Sequence, residues 1–294
     1  MVHQRMFPLN HNFAQQGATA DRRFAAPAEL VVGCKEGIKM NEQQSKWQTK
    51  EIAETFVEGV RGAIPGAKLQ LEVISKIISA WCPHPSMILD LGCGDGILGR
   101  MLLEEYPEAR VIFTDFSDPM LDKLRIKIGI NPRAKVIHAD FAMSDWAKGI
   151  ESEKPLDIVV SGFAIHHQPD ERKVELYTEI FCLLRSGGVF LNLDQVKSKS
   201  PSTSEIFDGF FLDHVRRFLS ISDQSEMMNQ IEKTYYEDKK ENIPAPVEEQ
   251  CQWLRDIGFE DVDCFFKTFE LALFGGKKTS NKANTADAKG HAAD

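Results

Sequence analysis

The sequence predicts an α/β protein: a mostly parallel sheet with helices on both faces, followed by a helical insertion. Three observations carry this. Apolar runs of strand length alternate with helical segments from residue 68 onward. Runs such as Ile158-Val159-Val160 are apolar on consecutive residues, which a strand covered on both faces requires. After Asp194 the alternation gives way to helical spacing. Strand–helix alternation of this kind is built from right-handed crossovers.

The elements follow in order. Residues 1–40 are rich in Gln, Ala and Asn without a sustained period and read as a flexible leader. A helix is expected over 42–61, stopped at Gly62 and the Ile64-Pro65-Gly66 break. A second, over 68–81, places Leu71, Ile74, Ile77 and Ile78 on one face and ends before Pro83 and Pro85. Strands are expected at 87–91, 111–115, 136–139, 156–161 and 189–193, each followed by a helical segment. Residues 202–240 read as two helices. Phe207, Phe210, Phe211, Val215 and Phe218, then Met227, Met228 and Ile231, are spaced as the packed side of a lid. A helix over 247–256 stops at Gly258, and strands at 259–266 and 269–274 complete the domain. The tail from Lys277 is small and polar and reads as disordered. The folded domain is therefore expected over 41–276, with lid elements near 42–66 and 202–243, and no internal repeat is visible.

Composition excludes several classes. The 294 residues are 43% hydrophobic, enough for a sizeable core. Lys and Arg number 35 against 44 Asp and Glu, a formal charge of −9, which argues against a protein whose main task is gripping nucleic-acid backbone. Basic residues between Lys123 and Lys135 leave room for a local basic groove. No run reaches the roughly 18 apolar residues that a membrane span needs, and the N-terminus lacks a signal-peptide pattern. The six cysteines are widely spaced, with no CxxC pair. That disfavours a zinc site or a disulfide framework and points to a reducing cytoplasm.

The most informative segment runs from Met87 to Gly96. A buried strand leads into Gly92, Gly94 and Gly96, then into an amphipathic helix from Ile97. In an open parallel sheet, ligands bind where strand C-termini meet the following helices, and glycines let the backbone approach a ligand closely. A dinucleotide fingerprint would need GxGxxG, but Ile97 stands three after Gly94; a P-loop would need a Lys that is absent. Asp115 follows 19 residues after Gly96, at the end of the next strand, where a carboxylate accepts the hydroxyls of a ribose. The pattern suits a nucleoside without phosphates.

These residues resemble the class I S-adenosylmethionine-dependent methyltransferases, over roughly residues 43–278. Asp90-Leu-Gly-Cys-Gly-Asp-Gly96 matches the family's first motif, so the resemblance assigns Gly92, Cys93 and Gly94 to the lining of the cofactor's methionine and adenosine parts. Asp115 falls on the ribose carboxylate, beside Phe116. Asp140 and Phe141 fall where the family reads adenine with an acidic side chain and a backbone N–H. Leu184-Arg-Ser-Gly-Gly188 and Gly258-Phe259 match the turn before the fifth strand and the entry to the final hairpin. The resemblance implies a Rossmann-like, seven-stranded sheet with its last strand antiparallel, and S-adenosylmethionine as cofactor. The sulfonium and ammonium of that cofactor favour carboxylates such as Asp90 and Asp95 through charge-assisted bonds, although Asp95 equally suits a helix cap.

The loop after the fourth strand, Ser161-Gly-Phe-Ala-Ile-His-His-Gln-Pro-Asp170, faces the methyl group in this fold. Methyl transfer is an in-line displacement on an aligned and usually deprotonated acceptor, so His166 and His167 are candidate bases; the alternative is a helix cap or packing. Asp194, ending the fifth strand, is a candidate contact to acceptor or base. Tyr235 and Tyr236, in the inserted helical region that would cover the pocket, read as exposed or packing side chains.

Val60-Arg-Gly-Ala-Ile-Pro-Gly66 and Trp253-Leu-Arg-Asp-Ile-Gly-Phe-Glu-Asp-Val262 look like the branch containing carboxy-S-adenosylmethionine synthases and tRNA wobble-uridine methyltransferase-like proteins. Ala67 replaces that branch's usual Tyr, the glycine series is fuller, and Arg216 or Arg217 sits in no matching motif for a carboxylate-binding arginine. The expectation is ordinary methyl transfer to a small-molecule O, N or C nucleophile. The alternatives are tRNA modification, carboxy-S-adenosylmethionine synthesis, and a non-catalytic cofactor-binding regulator. A second copy of the chain, in a homodimer, is a further candidate partner.

Overall fold

The computed structural model describes residues 63–221 and 228–278; the expected leader and the helix over 42–61 lie outside them. Seven strands form one sheet: β1 Met87–Leu91, β2 Arg110–Asp115, β3 Ala134–His138, β4 Leu156–Gly162, β5 Leu184–Gln195, β6 Phe259–Thr268 and β7 Leu271–Lys278. Their order across it is β3-β2-β1-β4-β5-β7-β6. Five strands run parallel, and β7 pairs antiparallel with both β5 and β6. The seven-stranded, Rossmann-like sheet with an antiparallel last strand is therefore as expected. Because β1 sits between β2 and β4, the chain leaves the centre of the sheet in both directions, and a crevice opens above β1.

Helices α1 Ala67–Trp81, α2 Ile97–Glu105 and α3 Asp118–Ile128 cover one face. Ile74, Ile78, Leu102 and Leu124 pack there on Ile88, Val111, Ile158 and Leu191. Helix α4 Asp170–Leu183 and helix α7 Val247–Ile257 cover the other, where Leu176, Ile180 and Leu254 meet Leu89, Val159 and Phe190. Neighbouring residues such as Ile88 and Leu89 thus serve opposite cores, which is why the strands read as continuous apolar runs. Gly258 ends α7 in the left-handed conformation, its N–H donating to the carbonyls of Leu254 and Arg255.

Helices α5 Pro201–Ile221 and α6 Met228–Lys239 form the insertion after β5. Phe207, Phe211, Val215 and Leu219 of α5 pack with Met228 and Ile231 of α6, with Ala63 and Ile64, and with Leu271 at the start of β7. One expectation changes here: Phe210 is 38% exposed, because the inner stripe of α5 runs through 207, 211 and 215 and position 210 falls at its flank, where the ring meets Phe269. Met227 lies outside the described residues.

The final strand corrects the expected tail. Lys277 and Lys278 belong to β7, pairing with Val189 of β5 and Phe259 of β6. Gly275-Gly276 resembles a strand stop, yet a Cβ on Gly275 would lie 2.0 Å from the Phe190 carbonyl oxygen. The bare backbone lets β7 approach β5 and continue past the glycines.

Four of the basic residues between Lys123 and Lys135 are engaged within the chain. Arg125 pairs with Asp122, Lys127 with Asp95, and Lys135 with Glu153. Arg133 donates to the carbonyls of Leu103, Tyr106 and Ala109, closing the C-terminal end of α2 and the turn after it. Replacing Arg133 with Met leaves those carbonyls without their donor. Urea denaturation is expected to show a loss of about 2 kcal/mol, whereas an unchanged midpoint would show that water replaces the guanidinium at no cost. Among the described residues no helix is long and apolar enough to cross a membrane, and the described cysteines are free.

Candidate active site

The turn after β1 is clasped to the end of β2. Cys93 N–H donates to the Thr114 carbonyl at 2.9 Å, and Gly94 N–H donates to Asp115 Oδ2 at 2.8 Å. The other oxygen, Asp115 Oδ1, accepts the Ser117 N–H at 2.8 Å. The two features that the sequence separates by 19 residues therefore touch. Gly92 has φ 64°, and a Cβ there would fall 2.4 Å from Ala164 Cβ and 3.0 Å from the Phe141 ring. The glycine is needed for the loops after β3 and β4 to close on this turn.

Asp90, buried at the end of β1, accepts the Gly99 N–H through Oδ2 at 2.8 Å. Gly96, not Asp95, is the N-cap of α2. Asp95 forms ion pairs with Lys127 at 2.5 Å and with Arg100 at 3.8 Å, so its charge is answered within the chain.

A cleft opens over this turn. Asp90, Gly92 and Cys93 form one side, Ile97 and Leu98 another, Gly162, Phe163 and Leu193 the floor beyond β4, and Ile64, Ala67, Gln70 and Leu71 the wall from α1. Among the described residues no Lys or Arg lines it, which suits a ligand without phosphate. Gln70 is a lining residue that the sequence reading missed. It is 1% exposed and donates through Nε2 to the Pro65 carbonyl at 3.0 Å. Its signal was a polar side chain in the buried stripe Gln70, Ile74, Ile78.

On the β2–β3 side, Phe116 is half-buried and its carbonyl meets His138 Nε2 at 2.9 Å. Asp140 is exposed, and its Oδ1 accepts the Ala142 N–H at 2.9 Å, shaping the turn that follows β3. Phe141 is buried against Gly92. Its carbonyl accepts from Arg172 Nε at 2.9 Å, and that guanidinium is held by Glu179. These residues flank the glycine turn, although Asp115, Phe116, Asp140 and Phe141 do not line the cleft itself.

The structure brings His166 and Asp194 together. His166 Nδ1 lies 2.5 Å from Asp194 Oδ1, with both residues buried. Asp194 also accepts the Gln195 N–H at 3.0 Å and Asn192 Nδ2 at 3.2 Å. Because a carboxylate only accepts, the pairing assigns the proton to Nδ1 and leaves Nε2 as the basic nitrogen. No described residue hydrogen-bonds to Nε2. Behind the pair, Tyr177 donates to Gln250 Oε1 at 2.6 Å, and burial and then the Asp194 charge push its hydroxyl well above its ordinary value.

His167 differs from its neighbour. Burial, and then the charge of a protonated His166, push its imidazole down to about 2, so it stays neutral and is a poor proton acceptor. Neither histidine caps a helix, since Pro169 is the N-cap of α4. The sign for stability is direct: between about 2 and 6.5 the unfolded chain binds a proton that folded His167 refuses, so stability falls as pH drops below 6.5. Thermal melts from pH 7.5 to pH 5 are expected to show this fall, reduced in His167→Asn; equal slopes in the two proteins would contradict the assignment.

Tyr235 donates to Asp208 at 2.6 Å and stacks on Phe211, while Tyr236 is exposed; both belong to the lid's packing. Arg216 and Arg217 are on the outer surface of α5, with Arg216 paired to Asp213.

A family model described as a methyltransferase domain matches residues 88–188. Among curated proteins, the chain is 23% identical over 237 residues to the carboxy-S-adenosyl-L-methionine synthase of Aeromonas hydrophila, covering 80% of this chain and 91% of that one. It is 31% identical over 107 residues to a trans-aconitate 2-methyltransferase of Variovorax paradoxus, covering 36% and 38% of the two chains. Among solved structures, an O-methyltransferase family protein from Burkholderia thailandensis superposes with a TM-score of 0.53 at 15% identity, over 79% of this chain. The chain spans only 60% of that protein's length, and the likeness concerns the fold.

Proposed function

We propose that this chain, which belongs to the class I S-adenosylmethionine-dependent methyltransferases, transfers a methyl group to a small-molecule nucleophile, with His166 as the base. The observation that carries the catalytic part is the His166–Asp194 pair beside the end of β4. The residues fit the cofactor: a cleft with no Lys or Arg among its described lining residues, a buried carboxylate at Asp90, and Asp115 bonded to the turn. When bound, S-adenosylmethionine supplies an electrophilic methyl group on a sulfonium. Asp90 offers a carboxylate to the positive methionine end, and Asp115 offers its oxygens to a ribose. Asp194 holds His166 in the tautomer whose Nε2 accepts the acceptor's proton as the nucleophile attacks. Ile64, Leu71, Ile97 and Leu98 give the cleft an apolar wall.

Carboxy-S-adenosylmethionine synthesis is the second reading, favoured by the long alignment to such synthases. Against it stands the cleft lining, which among the described residues holds no Lys or Arg for an added carboxylate, and the outward position of Arg216 and Arg217. RNA modification loses support from the internal pairing of Arg125, Lys127, Arg133 and Lys135. The free cysteines suit a reducing compartment such as the cytoplasm.

The test is incubation with methyl-labelled donor and two acceptor pools, a cell-derived metabolite fraction and bulk tRNA at low salt. Label is expected in the metabolite fraction. Label confined to tRNA would overturn the small-molecule reading, and a carboxylated nucleoside found by mass spectrometry in the purified protein would favour the second reading.

A further inference from the structure

We propose that Phe163 is a specificity-determining residue that distinguishes the charged methyl donor from its neutral product by presenting an aromatic face to the sulfonium. The inference rests on the cofactor reading above and deepens it. Phe163 follows Gly162 at the end of β4 and lines the same cleft as Asp90, Gly92 and Cys93. Its φ is 53°, in the left-handed region that disfavours any residue with a Cβ. Two other described non-glycine residues share this conformation: Asp261 at an irregularity of β6 and Phe269 in the β6–β7 turn. Phe163 alone of the three lines the cleft. Glycine would hold this backbone without strain, so the turn geometry does not account for a phenylalanine. Strain kept at a site points to a use for the side chain.

The position is fixed from three sides. The Phe163 N–H donates to the Leu193 carbonyl at 2.8 Å. The side chain packs against the sheet core on the α1 side and against the lid cluster of Phe207 and Phe211. The ring is therefore held at the cleft rather than free to turn into solvent. An aromatic face attracts a cation through its quadrupole, more strongly where water is excluded. The rest of the lining is apolar except for Asp90 and Gln70. Methyl transfer breaks the carbon–sulfur bond and leaves the electron pair on sulfur, as the new bond forms to the acceptor and its proton passes to His166. The charge that the ring attracts is then gone. Phe163 thus favours binding of the donor and release of the product.

Calorimetry with S-adenosylmethionine and S-adenosylhomocysteine decides the matter. Phe163→Leu is expected to weaken donor binding roughly 3- to 30-fold and product binding less than about 2-fold, while Phe163→Tyr keeps the wild-type ratio. A merely structural role would weaken both nucleosides equally, and equal weakening, or no change in either, overturns the proposal. Should Phe163→Leu fail to fold by circular dichroism, site-specific mono-, di- and trifluorinated phenylalanine at 163 preserves the ring's shape while draining its face. Donor affinity is then expected to fall stepwise with fluorination and product affinity to stay level; parallel or absent trends overturn the proposal. Wild-type protein that binds neither nucleoside would overturn the cofactor reading itself, a result distinct from these.

Discussion

Replacing His166 with Ala is expected to lower kcat by about 100- to 1,000-fold, the range that a positioned general base contributes, while the affinity for S-adenosylmethionine stays within about 2-fold. The separation follows from geometry. His166 belongs to the loop after β4 and is bonded to Asp194, whereas the glycine turn and Asp115 belong to β1 and β2. Asp194 keeps its Gln195 and Asn192 partners in the variant, so the buried carboxylate is not left bare. Asp194→Asn is expected to lose less, about 10- to 100-fold, because the imidazole remains but is no longer held in the basic tautomer. Its distinguishing mark is a loss in kcat at unchanged affinity for S-adenosylmethionine. Single-turnover rates with labelled donor measure both variants. Unchanged rates in His166→Ala would dismiss the base assignment, and the low proton affinity of His167 leaves no substitute in that loop.

Asp115→Ala is expected to weaken S-adenosylmethionine binding by about 30-fold or more, the scale of charge-assisted hydrogen bonds to a carboxylate. Two effects combine. The ribose loses its acceptor, and the turn loses the bond that ties Gly94 N–H to β2. Asp115→Asn separates them: its amide oxygen can still accept from Gly94, so stability should recover more than affinity does. If both variants bind the nucleoside as the wild type does, Asp115 serves the turn and not the ligand.

The sheet was legible because its strands are buried on both faces, so runs such as Ile158-Val159-Val160 report directly on the architecture. The glycine turn and Asp115 were legible because each answers a backbone or charge requirement that few residue types meet. Boundaries were less so: Gly275-Gly276 reads as a stop in one dimension but is a close approach to Phe190 in three. Pairings across the fold were hidden for the same reason. Nothing in the spacing of His166 and Asp194 announces a 2.5 Å contact, and nothing distinguishes His166 from His167 until burial does. Gln70 was not singled out in the sequence, although its position on the buried stripe with Ile74 and Ile78 marked it as an exception. The strained backbone of Phe163 carries no signal in the sequence at all.

The most direct measurement is calorimetric titration of the full chain with S-adenosylmethionine and, separately, with NAD. A cleft lined by carboxylate and apolar side chains, with no Lys or Arg among its described lining residues, is expected to bind the sulfonium nucleoside one-to-one and to give no heat with the dinucleotide. Saturable binding of NAD, or silence with S-adenosylmethionine at millimolar concentration, would contradict the account.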